Sequence, residues 1–231
     1  MNKKIKGFIF DLDGVLVDTA KYHYLAWKKF ASMFNYDFTE EENEEFKGVS
    51  RKRCLDILLA KVGVEATQEQ IDQWLIQKNE DYLNYISSMD ASEVLPGVKA
   101  FLDILKANQI PMAVGSASKN AIPILEKVGL LSYFVEVVDG NKVSKAKPDP
   151  EVFLLAAQSL GVANDQTVVF EDAIAGIQAA NAAQMISIGI GDAQVLSEAA
   201  YNFENFNQIT NEIITELIGW IKIISNQNLG V

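Results

Sequence analysis

The segment IKGFIFDLDGVLVDT, residues 5–19, decides the fold, because an apolar run within it meets carboxylates and a glycine. Residues 5–10 form a short run of bulky apolar side chains, which is typical of a buried strand. Asp11, Asp13 and Gly14 follow at once. Two carboxylates are a poor choice for a hydrophobic core, since buried like charges are costly unless a cation neutralises them. The segment therefore predicts a strand that ends at a functional site.

The pattern changes to helical periodicity after this strand. Residues 19–89 are rich in Glu, Lys and Gln and contain no convincing strand. After residue 97, strands predicted at 110–116, 133–138, 166–170 and 185–190 alternate with helices at 98–107, 120–128, 150–160 and 173–182, and residues 213–224 read as a terminal amphipathic helix. Such alternation implies parallel strands covered by helices on both faces. The sequence predicts an α/β fold, a doubly wound parallel sheet with a helical insert after its first strand.

Composition and charge narrow the class of protein. The chain has 231 residues, of which 49% are hydrophobic, so it can bury a sizeable core. Its one cysteine, Cys54, forms no intrachain disulfide, and with no signal-peptide pattern at the start we expect a cytoplasmic location. The net charge of −11 disfavours nucleic acid as a partner. The segment 213–224 is too short and too charged for a membrane span, so we expect no membrane partner.

Polar residues placed at the ends of the predicted strands are the candidates for a site. In doubly wound sheets the ligand crevice lies outside the carboxyl ends of the strands, so such residues converge there. The candidates are Asp11 and Asp13 after the first strand, Ser116 after the second, Glu171 and Asp172 after 166–170, and Lys147 in a connecting loop.

These residue types suit phosphoryl transfer. A hard cation with oxygen ligands, Mg²⁺ above all, needs only one or two carboxylates besides water and phosphate, and Asp172 can complete such a set. With its charge screened, one carboxylate can attack phosphorus and form an aspartyl-phosphate while a neighbour moves the proton. Ser116 and Lys147 would hold the phosphate oxygens. The sequence thus predicts a magnesium-dependent enzyme with a covalent phospho-aspartate.

Four ordered motifs resemble those of the haloacid dehalogenase superfamily: FDLDGVLVDT at 10–19, VGS at 114–116, Lys147-Pro148 and Glu171-Asp172. The resemblance implies Asp11 as the nucleophile and Asp13 as the acid and base. It implies a metal site at Asp11, Asp13 (through its backbone carbonyl) and Asp172, with Glu171 close by. It also implies a helical cap domain, which we expect at residues 19–88, and a catalytic core at residues 1–18 and 89–231.

The insert resembles the cap of the β-phosphoglucomutase family. The residues that carry this likeness are His23, KGVSR at 47–51, Lys78 and SASKN at 116–120. The resemblance implies that Thr19 and His23 set the position of Asp13, and that Lys78 contacts the sugar side. It further implies a distal phosphate site at Arg51, Ser118 and Asn120, a site for the transferring phosphate at Ser116, Ala117 and Lys147, and substrate contacts from Gly48, Val49 and Ser50.

Two reactions of this superfamily are the candidate functions. An isomerase would interconvert β-D-glucose 1-phosphate and glucose 6-phosphate through an aspartyl-phosphate and glucose 1,6-bisphosphate, and its bisphosphate needs two anion sites. The alternative is a magnesium-dependent sugar-phosphate phosphatase, which needs only the first site, so Arg51 is the discriminating charge. In both, the partner is a small sugar phosphate, and we expect a monomer. Lys145 lies near the expected lysine position too, but the Lys-Pro-x-Pro spacing favours Lys147.

Overall fold

The computed structural model describes residues 4–219, and its centre is a parallel six-stranded sheet. The strand order is β3-β2-β1-β4-β5-β6. The strands are β1 (Gly7–Phe10), β2 (Met112–Gly115), β3 (Glu136–Val138), β4 (Thr167–Glu171), β5 (Ile186–Ile190) and β6 (Tyr201–Phe203). The prediction of an α/β fold with a doubly wound parallel sheet is confirmed.

The register of the central strands brings the candidate residues to one edge. Phe10 at the end of β1 pairs with Val114 of β2 on one side and Phe170 of β4 on the other. The chain runs outward from β1 through β2 to β3, then returns to β4 on the opposite side of β1. Such a reversal opens a crevice at the carboxyl ends of the two central strands. Asp11 and Glu171 therefore lie beside each other at this crevice.

Both faces of the sheet are covered, as the short apolar strands require. Phe8, Phe10 and Phe170 belong to one buried cluster, with the Phe10 and Phe170 rings stacked at 5.0 Å between centroids. That cluster includes residues of α5 (Val98–Ala107), α6 (Ala121–Lys127) and α9 (Asn211–Gly219). Ile9 and Val169 pack on the opposite face with α7 (Glu151–Leu160) and α8 (Ile174–Ala182). Alternate strand residues thus face alternate helical layers.

The insert is helical, as predicted, and has a hydrophobic core of its own. Its helices are α1 (Ala20–Ser32), α2 (Glu40–Glu44), α3 (Arg51–Val62) and α4 (Gln68–Ile86). Trp27, Phe30, Phe38 and Leu58 are buried in a cluster separate from those of the sheet. Capping boxes at Thr39 and Thr67 begin α2 and α4 by satisfying free backbone N–H groups.

Two adjacent chain segments join the insert to the sheet. Val17 forms an isolated bridge with Val94, and the backbone N–H of Asp18 donates to the carbonyl of Glu93 at 2.9 Å. We call this pair, residues 17–19 and 90–95, the hinge. The domain boundaries after residues 18 and 88 stay a prediction beside it.

Three elements differ from expectation at the margins of the sheet. The strand predicted at 133–138 is restricted to Glu136–Val138, because residues 131–133 form a 3₁₀ turn. Strand β6 was not predicted, since its sequence YNF gives no apolar run to recognise. The terminal helix begins at Asn211, earlier than predicted, and residues 220–224 of the prediction lie outside the described residues. Within residues 4–219, no helix combines the length and apolarity that crossing a bilayer requires.

Candidate active site

The DLDG turn, residues 11–14, begins where β1 ends. The backbone N–H of Asp11 still donates to the Phe170 carbonyl of β4 at 2.9 Å, so the neighbouring strand holds the start of the turn. Gly14 has a φ of 79°, a conformation that favours glycine. A Cβ there would lie 2.1 Å from Oδ2 of Asp172, so the absence of a side chain lets that carboxylate lie against the turn.

Lys147 is the buried cation of the site. Its Nζ donates to Oδ1 of Asp11 at 2.6 Å and to Oε1 of Glu171 at 2.5 Å. Burial alone would lower the pKa of Lys147, but the charges of Asp11 and Glu171 outweigh it and hold that pKa above its usual value. Lys145, the alternative lysine, is exposed and pairs with Asp149. Of the two lysines, Lys147 contacts the candidate nucleophile.

Glu171 stands behind this lysine with both carboxylate oxygens engaged. Oε1 accepts from Lys147, and Oε2 accepts the backbone N–H of Ala173 at 2.8 Å. Gly176 on α8 makes room for it, since a Cβ there would fall 1.9 Å from its Oε1. The carboxylate of Glu171 thus orients Lys147.

Asp13 is contacted by a hydroxyl and lies near an imidazole, and no lysine or arginine among residues 4–219 pairs with it. Thr19 Oγ1 donates to its Oδ1, and His23 Nε2 lies 3.9 Å from the same atom. Burial, with the charge of Asp11 added, raises the pKa of Asp13 to about 7. Burial, then the charges of Lys78 and Arg51, lowers the pKa of His23 well below its ordinary value. A neutral imidazole and a carboxyl that titrates near neutral pH suit an acid and base pair.

The acids at the sheet edge fit a divalent cation. Burial, followed by the charges of Glu171 and Asp11, raises the pKa of Asp172 well above its usual range. A cation beside Asp11 and Asp172 would relieve this repulsion. Within residues 4–219, no three His, Cys, Asp or Glu side chains form a ready-made metal cluster. The fit therefore rests on two carboxylates and a backbone carbonyl, a set that Mg²⁺ accepts when phosphate and water complete it.

The cap supplies two cations to the facing wall of the cavity. Arg51 begins α3 behind the N-cap Ser50, whose Oγ accepts the backbone N–H of Arg53 at 3.4 Å. Neither Arg51 nor Lys78 has a carboxylate partner among residues 4–219. Burial, and then the charge of Arg51, lowers the pKa of Lys78 to about 7. Lys78 Nζ lies 3.1 Å from His23 Nδ1. An arginine without a carboxylate within ion-pair distance, with the buried amine of Lys78 beside it, favours a bound anion.

The core loop 116–120 is ordered by its own side chains. Ser116 Oγ accepts the backbone N–H of Ser118 at 3.0 Å, and Ser118 Oγ accepts that of Asn120 at 3.2 Å. The amide of Asn120 donates to Oδ1 of Asn79 on the cap at 3.0 Å. These turns present hydroxyl and amide groups towards the cap.

Most predicted site residues share one cavity between cap and core. It is lined by Asp11, Asp13, Thr19, His23, Gly48, Val49, Arg51, Lys78, Ala117, Ser118 and Asp172. An adjacent cavity is lined by Ser50, Ser116, Ala117 and Lys147. Glu171 lies behind Lys147, and Asn120 lies at the contact with Asn79. The residues predicted for the two phosphates thus line two adjacent cavities that share Ala117, and Asn120 lies beside them.

Several residues that line the cavity or contact its lining were not predicted. Trp27 lines the cavity, and Lys78 Nζ lies 4.7 Å from the centroid of its ring. The Tyr82 ring stacks on His23 with centroids 4.2 Å apart. Lys47 reaches Oδ2 of Asp172 at 3.8 Å. Helical spacing could have found two of these, because Trp27 follows His23 by four residues and Tyr82 follows Lys78 by four.

Comparison with known proteins agrees with this geometry. A family model described as haloacid dehalogenase-like hydrolase matches residues 5–184. The β-phosphoglucomutase of Bacillus subtilis (strain 168) is 37% identical over 92% of this chain and 95% of its own. A fructose-1-phosphate phosphatase of Escherichia coli (strain K12) is 34% identical over 82% of this chain and 98% of its own. A crystal structure of β-phosphoglucomutase from Clostridium difficile has a TM-score of 0.88 and 38% identity, covering 93% of this chain and 97% of that one. The chain therefore belongs to the haloacid dehalogenase superfamily and, within it, to the β-phosphoglucomutase family.

Proposed function

We propose that this enzyme is an isomerase that interconverts β-D-glucose 1-phosphate and glucose 6-phosphate through an aspartyl-phosphate on Asp11 and glucose 1,6-bisphosphate. One observation carries the proposal: the cap brings Arg51, a cation without a carboxylate partner among the described residues, to the same cavity as the acids of the core. A substrate with two phosphates would place one phosphate beside Arg51 while the other reacts at Asp11. The named relatives from Bacillus subtilis and Clostridium difficile support this choice of reaction.

Mg²⁺ is the proposed cofactor. Asp11, Asp172 and the backbone carbonyl of Asp13 would hold it, whereas Glu171 has both oxygens engaged elsewhere. When bound, the ion supplies positive charge that offsets the repulsion between a carboxylate nucleophile and a phosphate.

The chain's own residues then account for the transfer. A carboxylate oxygen of Asp11 attacks phosphorus, the bond from phosphorus to the sugar oxygen breaks, and that oxygen takes the proton held by Asp13. Thr19, which donates to Asp13, and His23, 3.9 Å from it, would keep Asp13 where the leaving oxygen forms. Lys147 and Ser116 would hold the oxygens of the transferring phosphate, which Lys147 can do without moving because Asp11 already lies against it. The reverse sequence returns the phosphoryl group to the other hydroxyl of the sugar.

Reversal of the bisphosphate needs a second anion site. Arg51, Ser118 and Asn120 would hold the phosphate that is not reacting, and Lys78 would contact the sugar. Gly48, Val49 and Ser50 form the cap loop that reaches the core, since Gly48 lies so close to Ala173 that a Cβ would be 2.9 Å from its methyl group. This close approach favours a closed cleft in which water is excluded.

A sugar-phosphate phosphatase is the second candidate. The core residues are sufficient for hydrolysis if water, rather than a second sugar hydroxyl, reaches the aspartyl-phosphate. The fructose-1-phosphate phosphatase of Escherichia coli, which is 34% identical, favours this reading. The two candidates share Asp11, Asp13, Lys147 and Mg²⁺ and differ in what the cap must bind.

Phosphorus NMR separates the candidates in one experiment. Purified protein with Mg²⁺, β-glucose 1-phosphate and a trace of glucose 1,6-bisphosphate should produce glucose 6-phosphate and no net inorganic phosphate. Release of one inorganic phosphate per sugar, with no 6-phosphate, would establish the phosphatase instead. Asp11→Asn should form no phospho-enzyme, and normal turnover by that variant would remove Asp11 from either mechanism. The expected monomer, the cytoplasmic location and the absence of nucleic-acid and membrane partners stay predictions.

A further inference from the structure

Helix α4 of the cap and helix α6 of the core are linked by two side-chain hydrogen bonds. The amide of Asn120, directly before α6, donates to Asn79 at 3.0 Å, and Lys127 at the end of α6 donates to the carbonyl of Ser87 at 2.7 Å. The contact earlier on α4 is with the start of α6 and the later contact is with its end, so the two helices run in the same direction. The cap is therefore tied to this side of the core at two points, and we call these the Asn79 contact and the Ser87 contact.

The two contacts differ in their distance from the hinge. Ser87 comes three residues before the returning hinge segment 90–95, whereas Asn79 lies eight residues earlier on α4. Eight helical residues correspond to about 12 Å. A rotation of the cap about the hinge would displace distant atoms most, so it would separate the Asn79 contact and change the Ser87 contact little. The hydrogen bond between Asn79 and Asn120 would then form only with the cap seated on α6.

Asn120 is held from both sides in this arrangement. It is 9% exposed, its backbone N–H is accepted by Ser118, and one amide hydrogen is accepted by Asn79. The second amide hydrogen has no acceptor within residues 4–219. Since a side-chain amide is planar, the Asn79 bond fixes the direction of that remaining hydrogen. Asn79 therefore sets the direction of a hydrogen-bond donor that belongs to Asn120.

We infer that Asn79 is a positioning residue of the distal anion site: it orients the amide of Asn120 from the cap, so that the second phosphate is held well only when the cap is closed. This inference rests on the proposed function, because only a bisphosphate places an anion there. On this inference, residues of both the cap and the core determine the geometry of the distal site. A substrate without a second phosphate gains nothing from Asn79.

Phospho-enzyme formation from two donors tests this role. Acetyl phosphate carries one phosphate, and glucose 1,6-bisphosphate carries two. Asn79→Ala should raise the half-saturating concentration of the bisphosphate about tenfold, the loss typical of one charge-assisted hydrogen bond, and leave that of acetyl phosphate within about twofold. Asn84→Ala is the matched control, since Asn84 lies on the exposed side of the same helix. It should change neither value.

Two further measurements keep the result open to refutation. Asn79→Ala combined with Asn120→Ala should lose little more than Asn120→Ala alone, because Asn79 acts through Asn120. The melting temperature should fall by no more than a few degrees, since one lost hydrogen bond costs about 1 kcal/mol and alanine suits a helix interior. Equal losses for both donors, or fully additive losses in the double variant, would overturn the role of Asn79. If the unsubstituted protein is phosphorylated by acetyl phosphate but not by the bisphosphate, the proposed isomerase function fails first and removes the basis of this inference.

Discussion

The ammonium group of Lys147 lies 2.6 Å from Oδ1 of Asp11, although 136 positions separate the two residues in the sequence. The same nitrogen contacts Glu171, so one cation links the ends of β1 and β4. Lys147→Met would leave two buried carboxylates without their partner. We expect phospho-enzyme formation to slow about 10²-fold or more, because charge on the transferring group loses its fixed donor. We also expect a loss of roughly 3 kcal/mol or more in the free energy of unfolding.

Lys145→Met is the matched control for this change. Lys145 is two residues away, is exposed and pairs only with Asp149 at 3.3 Å. Rapid-quench measurement of phospho-aspartate and thermal unfolding should both be close to those of the unsubstituted protein. If the two methionine variants behave alike, Lys147 does not assist the transfer.

Arg51 should separate isomerisation from hydrolysis. Arg51→Ala removes a partly buried cation without a carboxylate partner among the described residues, so we expect kcat/KM for isomerisation to fall about 10²-fold. Hydrolysis of a small phosphate ester should change less than about threefold, since such an ester does not reach the distal site. Arg53→Ala is the control, because Arg53 lies exposed on the same helix. Parallel losses in both assays would show that Arg51 supports the cap as a whole rather than a second phosphate.

Lys78 should take up a proton when an anionic ligand binds. Its pKa is lowered to about 7 by burial and by Arg51, so above pH 7 the free enzyme carries it largely neutral. A bound phosphate stabilises the charged form and raises that pKa, so affinity should fall as pH rises above 7. At pH 7.5, binding of glucose 1,6-bisphosphate to Asp11→Asn should take up roughly three quarters of a proton. Calorimetry in buffers of different ionisation enthalpy measures this uptake.

The ligand's own phosphates can also exchange protons on binding, and Lys78→Met provides the correction. That variant retains any contribution of the ligand and lacks that of the ammonium. An identical uptake in both proteins would show that Lys78 keeps its charge throughout.

Glu93 should stabilise the hinge in a pH-dependent manner. Its carboxylate accepts from Tyr22 at 2.6 Å and from Lys21 at 2.7 Å. Burial opposes ionisation, but the hydrogen bonds from Lys21 and Tyr22 prevail and lower the pKa of Glu93. A lowered pKa contributes stability above the unfolded value of about 4.3 and loses it as pH falls through the folded value. Because Lys21 is half exposed, we expect Glu93→Gln to cost only about 1 kcal/mol at pH 7.

Thermal unfolding at pH 7 and at pH 3.5 measures that difference. The melting temperature of Glu93→Gln should lie a few degrees below that of the unsubstituted protein at pH 7, and the gap should narrow in acid. Glu80→Gln, on the exposed face of α4, should show no such gap. A constant gap at both pH values would mean that the charge of Glu93 does not stabilise the hinge.

The sheet was predictable from the sequence because its central strands are short apolar runs that polar candidate site residues follow. Phe10 before Asp11 and Phe170 before Glu171 are examples, and their pairing across the sheet confirms the expected convergence. Edge strand β6 was missed because this half-buried three-residue strand, with Asn202 at its centre, has no apolar pattern. Local hydropathy patterns thus predict buried strands, and they do not reveal a strand whose burial is incomplete.

Side-chain contacts between elements that are distant in the sequence were the least accessible to sequence reasoning. Lys78 was found through a resemblance, yet its sandwich between Trp27 and Tyr82 depends on how α1 and α4 pack. The Asn79 contact joins residues 41 positions apart on different layers. Neither residue of that pair stands out by charge or hydropathy, so only the assembled structure reveals their relation.

The bridge between Val17 and Val94 has an evolutionary consequence. An insertion whose entry and exit are neighbours can be exchanged, shortened or redesigned without altering the order of the six strands. The acids and Lys147 belong to the part that such an exchange leaves untouched. Selection can therefore change which substrate is recognised while the residues for phosphoryl transfer stay the same. Isomerases and phosphatases can thus descend from a common ancestor through changes in the helical insert alone.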